Sequence, residues 1–177
     1  MKNFSFKFLD IMLGIVMGLG FQWWPELKEP WQYVVFVFVY LDIVDYWIDY
    51  GPALKKFPPK REIDVLLDVS IMFALFLYIY STQISLTYFL GAFILLRVLD
   101  YFWLLSSKSE YHPTGQDKAF VDTWLSFNLI ECAVSLGLIL CKLFTPLSSL
   151  VLLSIFIVCR ILIRFAASWK YKKIHFL

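Results

Sequence analysis

Three aspartates close an apolar run that begins at Trp31 and ends at Tyr50. On a helix, the i, i+3, i+7 spacing of Asp42, Asp45 and Asp49 places all three within about 60° of one another on one face. Hydrocarbon does not solvate such charges, so a membrane helix of this kind turns its acidic face toward other helices or water. The run therefore predicts a membrane helix whose neighbours carry positive charges at a similar depth.

The composition agrees with a membrane location. Of the 177 residues, 60% are hydrophobic and 20% aromatic, whereas an ordinary soluble domain has about 45–50% apolar residues. The net charge of +2 is too small, and the basic residues are too scattered, to indicate a nucleic-acid partner. The cysteines are odd in number and lie in or beside apolar runs, so they indicate neither a disulfide framework nor a metal site. We expect an integral membrane protein with the lipid bilayer as its surroundings.

The apolar segments predict an all-α, polytopic membrane domain that covers residues 1–177 and has six transmembrane helices. The expected spans are 8–24, 31–50, 63–80, 86–105, 119–141 and 147–167. Gly51-Pro52 is expected to end the second span. The polar stretch Ser106–Lys118 is expected to form a solvated loop.

The basic residues predict the orientation, because cytoplasmic loops of membrane proteins are enriched in Lys and Arg. With six spans, one side of the membrane receives most of them, including Lys7, Lys55, Lys56, Lys60, Arg61, Lys108, Lys118, Lys170, Lys172 and Lys173. The other side keeps Lys28 and Lys142. We therefore predict an inner or plasma-membrane protein with both termini in the cytoplasm.

An aspartate recurs near the start of each odd-numbered span, at Asp10, Asp68 and Asp122, with a period of roughly 55 residues. Such a pattern is typical of three related helical hairpins. The alternative is coincidence, because every helix favours an acidic residue in its first turn.

Opposite charges are predicted to meet inside the bundle. Counted along the helices at about 1.5 Å per residue, Asp42, Arg97 and Arg160 lie at a similar depth. The candidate charge-pair network is Arg97, Asp100, Arg160, Arg164, Asp10, Asp68 and Asp122. Two interpretations stay open at this point. The charges either form an ion-pair network that fixes the helix register, or they line a water-filled vestibule whose surplus carboxylates attract cations.

Glu131 is the deepest acid of the fifth span, roughly half to two-thirds of the way across the membrane. Trp124, Asn128 and Ser135 lie within about 60° of it on the same helical face. An ionisable residue at this depth, with polar neighbours, is typical of a proton relay or an ion pathway. The alternative is a protonated Glu131 that hydrogen bonds to Asn128 or to an arginine of another helix.

The remaining residues do not suggest enzymatic chemistry. His112 and His175 both lie outside the predicted spans, so a His-carboxylate metal site is not expected in the membrane. No cofactor is predicted. The nucleophile, phosphate-loop and redox motifs of common enzymes do not occur. We predict that the protein is not an enzyme, although a lipid-modifying enzyme that uses acidic residues alone stays an alternative. Tyr46, Tyr50 and the other aromatic residues near the predicted span ends are assigned to the interfacial belt.

These patterns favour a membrane channel or small transporter for a cation or a proton. Asn128, Glu131 and Ser135 form the predicted mid-membrane site, and the acidic face of the second span forms a cytoplasmic vestibule. The alternative is a membrane-anchoring or effector subunit that presents its basic loops to a soluble cytoplasmic protein. Gly14 and Gly18 in the first span predict close helix approach, and with it a homo-oligomer.

Overall fold

Long α-helices form almost all of the described chain. The computed structural model describes residues 2–171, and the side chains of residues 7–171. Within that range the chain is all-helical and contains no β-strand. The α-helices are α1 (Lys2–Gly20), α2 (Pro30–Lys56), α3 (Glu62–Tyr80), α4 (Leu86–Tyr111), α5 (Gly115–Phe144) and α6 (Ser149–Tyr171). Two 3-10 helices, Phe21–Glu26 and Ser81–Gln83, follow α1 and α3. Lys172 and Lys173 of the predicted basic tail, and His175, lie outside the described residues.

Five segments of the described chain are long and apolar enough to cross a membrane. They are Lys7–Glu26, Glu62–Gln83, Leu86–Tyr111, Gly115–Phe144 and Ser149–Tyr171. This composition is compatible with a membrane protein. Helix α2 is long enough but carries the three aspartates and is not one of the five. The sixth span and the relation between three hairpins therefore stay predictions.

Helix α2 does not end at Gly51-Pro52, and that prediction is wrong. The helix continues to Lys56. The proline ring removes one backbone N–H and usually disrupts a helix interior. Here the final turn packs into the core, with Leu54 only 2% exposed. Lys55 and Lys56 also place positive charge at the negative end of the helix dipole. Tertiary packing outweighs the local helix breaker.

The predicted solvated loop at Ser106–Lys118 is also wrong. Helix α4 continues to Tyr111 and α5 begins at Gly115, so the connection is only residues 112–114. His112 and Gly115 both have positive φ, 44° and 58°, and they turn the chain sharply between the two helices.

Two polar side chains of that stretch bond to the start of α3 or to Arg61 just before it. The Ser106 hydroxyl donates to the Asp64 carboxylate over 2.7 Å, and Arg61 Nε lies 2.5 Å from Glu110 Oε1. Ser106 and Glu110 thus contact another part of the bundle, whereas Lys108, Ser109 and Lys118 are exposed on the helices that replace the predicted loop.

Contacts at the helix ends show that the helices alternate in direction. Lys56, at the end of α2, pairs with Asp117, near the start of α5. At the other end of the bundle, Gln32 near the start of α2 donates to the Gln83 carbonyl oxygen over 2.9 Å. We call the end that holds residues 51–62 and 108–118 the basic end. The opposite end holds residues 21–30 and 81–86.

Aromatic rings fill the half of the bundle toward the opposite end. The ring centroids of Phe93 and Phe156 lie 4.9 Å apart, those of Phe89 and Phe156 5.3 Å, and those of Tyr78 and Phe89 5.2 Å. These four side chains are all but inaccessible. The offset and edge-to-face arrangements are the favourable geometries for such rings. Buried charges border these rings, since the Tyr78 hydroxyl donates to Asp42 and the Arg97 guanidinium carbon lies 4.8 Å from the Phe93 ring centroid.

The close approach of α1 involves a glycine that sequence analysis did not single out. A Cβ on Gly20 would lie 2.5 Å from the Tyr40 hydroxyl of α2 and 2.8 Å from Ile79 Cγ2 of α3, so a larger residue would force these side chains to move. A Cβ on Gly14 or Gly18 would have no described neighbour within 4 Å. The prediction of self-association through these two glycines is untested by a single chain.

Candidate functional site

Four charged side chains from four helices meet at the centre of the bundle, and we call them the central cluster: Asp42 of α2, Arg97 of α4, Glu131 of α5 and Arg160 of α6. Glu131 Oε2 lies 3.0 Å from Arg97 Nε, and its Oε1 lies 3.0 Å from Arg160 Nη1. Asp42 Oδ1 lies 2.9 Å from Arg160 Nε, and its Oδ2 lies 3.7 Å from Arg97 Nη2. The four side chains are between 1% and 5% exposed. Each acid therefore contacts both arginines.

A second group of charges lies one turn closer to the basic end. Arg164 Nε is 2.7 Å from Asp45 Oδ2, and its Nη1 donates to Asp49 Oδ2 over 2.5 Å. The Tyr171 hydroxyl donates to the same Asp49 oxygen over 2.9 Å. Arg160 Nη2 lies 3.9 Å from Asp45 Oδ2, so Asp45 connects this group to the central cluster.

Two further buried aspartates bind neutral donors. Asp100 accepts from the Tyr46 hydroxyl over 2.9 Å and from Asn128 Nδ2 over 2.7 Å. Asp68 accepts from the Tyr50 hydroxyl over 2.7 Å. The rings of Tyr46 and Tyr50 stack at a centroid distance of 5.2 Å, which joins these two aspartates into one arrangement.

Carboxylates outnumber guanidinium groups in this region by six to three. The acids are Asp42, Asp45, Asp49, Asp68, Asp100 and Glu131, and the bases are Arg97, Arg160 and Arg164. Removing an ion from water costs several kcal/mol even after the protein relaxes. A buried surplus of acids therefore favours uptake of positive charge, either protons or cations.

Two neighbouring cavities lie between these charges and the basic end. The inner cavity, of about 30 Å³, touches Asp49, Asp100 and all three arginines of the region. The outer cavity, of about 70 Å³, is lined by Asp49 together with Lys56 and residues of the α5 start. Asp49 and Phe120 line both. One water molecule needs roughly 10–15 Å³ of such volume, so the inner cavity has room for about two.

The second group of charges is also accessible from the side. A groove of about 260 Å³ runs between α2 and α6 and is lined by Asp45 and Arg164, with exposed Leu41 and Phe165 at its edges, and it also touches Asp42 and Arg160 of the central cluster. The side chains of Asp45 and Arg164 are 34% and 20% exposed, in contrast to the central cluster.

Asp10 and Asp122 do not join the other predicted network residues. Asp10 lies exposed on α1, and Asp122 lies at the surface of α5, where it pairs with Lys108 over 2.6 Å. Asp100 belongs to the region but is held by Tyr46 and Asn128 instead of Arg97.

Sequence reasoning missed the tyrosines. Tyr46, Tyr50, Tyr78 and Tyr171 each donate to a buried aspartate. Two of them were assigned to the interfacial belt, although Tyr46 lies one helical turn from Asp42 and shares its face. The spacing of Tyr46 from Asp42 was the signal in the sequence that Tyr46 faces the buried acids.

No group of three or more His, Cys, Asp or Glu side chains in residues 7–171 is arranged to hold a metal ion. None of the known protein families, curated proteins or solved structures compared with this chain matches it. The fold and the buried charges alone define its class: an all-helical protein with membrane-compatible helices and an internal network of acids and arginines.

Proposed function

We propose that this protein moves protons across a membrane, as a proton channel or a proton-coupled transporter, with Glu131 as the group that takes up the proton. The observation that carries the proposal is the position of Glu131. It is 2% exposed at the centre of the bundle, its carboxylate lies 3.0 Å from two guanidinium groups, and those arginines line a cavity on the basic-end side of the cluster.

The charges around Glu131 favour a proton over a metal cation. A sodium or potassium ion at Glu131 would also lie close to Arg97 and Arg160, and like charges at such distances repel strongly in a poorly solvated interior. A proton binds to the carboxylate itself and adds no separate ion. The inner cavity, with room for about two waters, also suits proton movement better than passage of an organic solute.

Protonation of Glu131 would change the packing of four helices. The neutral acid would no longer balance Arg97 and Arg160, which would leave Asp42 as the one acid that contacts both. A buried arginine that loses its partner is costly, so the two side chains would rearrange. Such a rearrangement is the kind of two-state change that couples a proton to a conformational step.

Access to Glu131 differs on its two sides. The two cavities lie between Arg97, Arg160 and the basic end, whereas toward the opposite end Glu131 borders a pocket of about 10 Å³, room for one water at most, against the packed rings of Phe93 and Phe156. We assign the basic end to the cytoplasm, α2 to a sixth span and both termini to the cytoplasmic side, in line with the positive-inside rule. On this proposal the described conformation exchanges protons with the cytoplasm.

The partner-binding alternative has less support. Several basic residues of the predicted docking surface already pair within the chain: Lys56 with Asp117, Arg61 with Asp64 and Glu110, and Lys108 with Asp122. Stoichiometric recovery of one soluble protein with the purified chain would restore that alternative. A homo-oligomer is compatible with either function.

Proton flux into liposomes tests the proposal. Purified protein would be reconstituted with a pH-sensitive dye inside and a potassium diffusion potential as the driving force. We expect Glu131→Gln to lower the flux at least tenfold, because the amide takes up no proton, and Glu131→Asp to retain part of it. Asp122→Asn is the matched control, since it removes a surface acid from the same helix.

Unchanged flux in a well-folded Glu131→Gln protein would contradict the proposal. If that variant does not fold, the double variant Arg97→Gln with Glu131→Gln replaces it. This variant removes one base together with one acid, so Arg160 and Asp42 remain as a balanced pair. Its flux should be equally low.

A further inference from the structure

Three buried polar atoms on the face of α5 that carries Glu131 have no hydrogen-bond partner among the described residues. They are Trp124 Nε1, Asn128 Oδ1 and Ser135 Oγ. Their side chains are 4%, 0% and 0% exposed. A buried polar atom without a partner costs roughly 1–3 kcal/mol, so native proteins satisfy nearly all of them, often with ordered water.

Ser135 differs from other serines of the chain in the hydrogen bonding of its hydroxyl. Ser70, Ser126 and Ser154 lie on exposed helix faces, and each donates to the carbonyl oxygen four residues earlier. Bonding back to the helix is the ordinary solution for a serine in an apolar setting. Ser135 is fully buried on a helix of the same kind, yet its hydroxyl makes no such bond. Its hydroxyl is therefore free for a partner from outside the helix.

Trp124 provides the link to the hydrated part of the molecule. It lines the inner cavity, and the guanidinium carbons of Arg160 and Arg164 lie 5.8 and 5.6 Å from its ring centroid. The ring face thus contacts the arginines while the indole N–H stays available for another acceptor. Asn128 is similar, since its amide nitrogen binds Asp100 and its oxygen remains unused.

We propose that Trp124, Asn128 and Ser135 bind a file of water molecules that runs along α5 past Glu131. At 1.5 Å per residue, the three positions extend over about 16 Å of the helix axis. The file begins at the inner cavity and passes Glu131 toward the opposite end. Water fits these atoms because it both donates and accepts, whereas a cation would meet the arginines.

The inference deepens the proposed function and rests on it for one point, the role of the file in leading protons to and from Glu131. Binding of water by the three side chains is a separate statement, and it is measured separately.

Indole N–H signals test the file directly. Protein labelled with ¹⁵N at tryptophan Nε1 would be studied by NMR in detergent micelles, with the Trp124 signal assigned through Trp124→Phe. We expect a transfer of magnetisation from water to the Trp124 indole that is at least several-fold stronger than for Trp103. Trp103 is the matched control, because it is equally buried and lines the same inner cavity, but its side chain bonds to Asp68. A Trp124 signal as protected from water as that of Trp103 would overturn the proposal.

Ser135→Ala tests the far part of the file, with Ser126→Ala as its control. If water occupies the site, the alanine variant loses a hydrogen bond, so the melting temperature stays equal or falls while proton flux drops several-fold. A rise of the melting temperature by several degrees would mean that the hydroxyl was buried dry, and would overturn the file at Ser135. Water contact at Trp124 in a wild-type protein with no flux would keep the file and contradict the proposed function instead.

Discussion

The two halves of the bundle are built by different kinds of contact. Toward the opposite end, Phe89, Phe93 and Phe156 pack ring against ring. Toward the basic end the same helices hold aspartates, arginines and tyrosines around water-sized cavities. Many weak and interchangeable contacts hold the aromatic half, whereas a few strong, paired contacts hold the charged half. A single substitution should therefore act very differently in the two halves.

The aromatic half and the charged half meet at the level of Tyr78 and Arg97. Tyr78 belongs to both, because its ring stacks on Phe89 while its hydroxyl donates to Asp42 over 3.3 Å. Arg97 also contacts both, with its guanidinium carbon 4.8 Å from the Phe93 ring centroid and its Nε on Glu131. The central cluster is thus placed directly against the aromatic layer. A proton held on Glu131 would be separated from the opposite end by that layer.

Arg160→Gln breaks the charged half and should have the largest effect. It leaves Asp42 and Glu131 with one arginine between them, an uncompensated buried charge that costs about 3–5 kcal/mol. We expect a matching loss of the free energy of unfolding, measured by denaturant or thermal unfolding in detergent.

Two further variants show whether the burial of the unmatched charge causes the loss of stability in Arg160→Gln. Arg164→Gln, whose guanidinium side chain is 20% exposed, should lose clearly less stability. Adding Asp42→Asn to Arg160→Gln should recover much of the loss, because one unmatched acid is removed. An Arg160→Gln protein as stable as wild type would show that the central cluster does not hold the helices together.

Phe156→Ala breaks the aromatic half and should cost somewhat less, about 3 kcal/mol, the low end for removing a buried ring. The site can relax in part, since Phe156 also contacts the partly buried Phe38. The ring separates Glu131 from the opposite end, so we further expect a raised proton leak in liposomes. Phe73→Ala, on an exposed face of α3, is the control for both readouts. A destabilised protein without a leak would mean that the aromatic layer is not the barrier.

The charged half was the easier of the two to foresee from sequence. Asp42, Arg97 and Arg160 stand out because a charge in an apolar run demands compensation, and simple counting along helices gives their depth. The aromatic half and the tyrosine bonds were not predictable in this way. Tyr46 is equally compatible with a membrane interface and with a buried hydrogen bond, and only its distance to Asp100 decides between them. The predicted end of α2 was wrong for a related reason. Gly51-Pro52 is a local signal in the sequence, whereas the burial of Leu54 depends on packing against other helices.

Asp122→Asn should have the smallest effect, and it defines how far the charged half extends. Asp122 recurs at the same period as Asp68, and on sequence alone the two are equivalent members of the network. In the fold Asp68 is 2% exposed and bound by Tyr50, whereas the Asp122 side chain is 39% exposed and pairs with Lys108, itself 45% exposed. Exposed pairs of this kind contribute about 0.5 kcal/mol or less. We expect an unfolding free energy within that margin of wild type and unchanged proton flux. A large loss in either measurement would place Asp122 inside the functional network, and would mean that the repeat in the sequence reports function as well as helix starts.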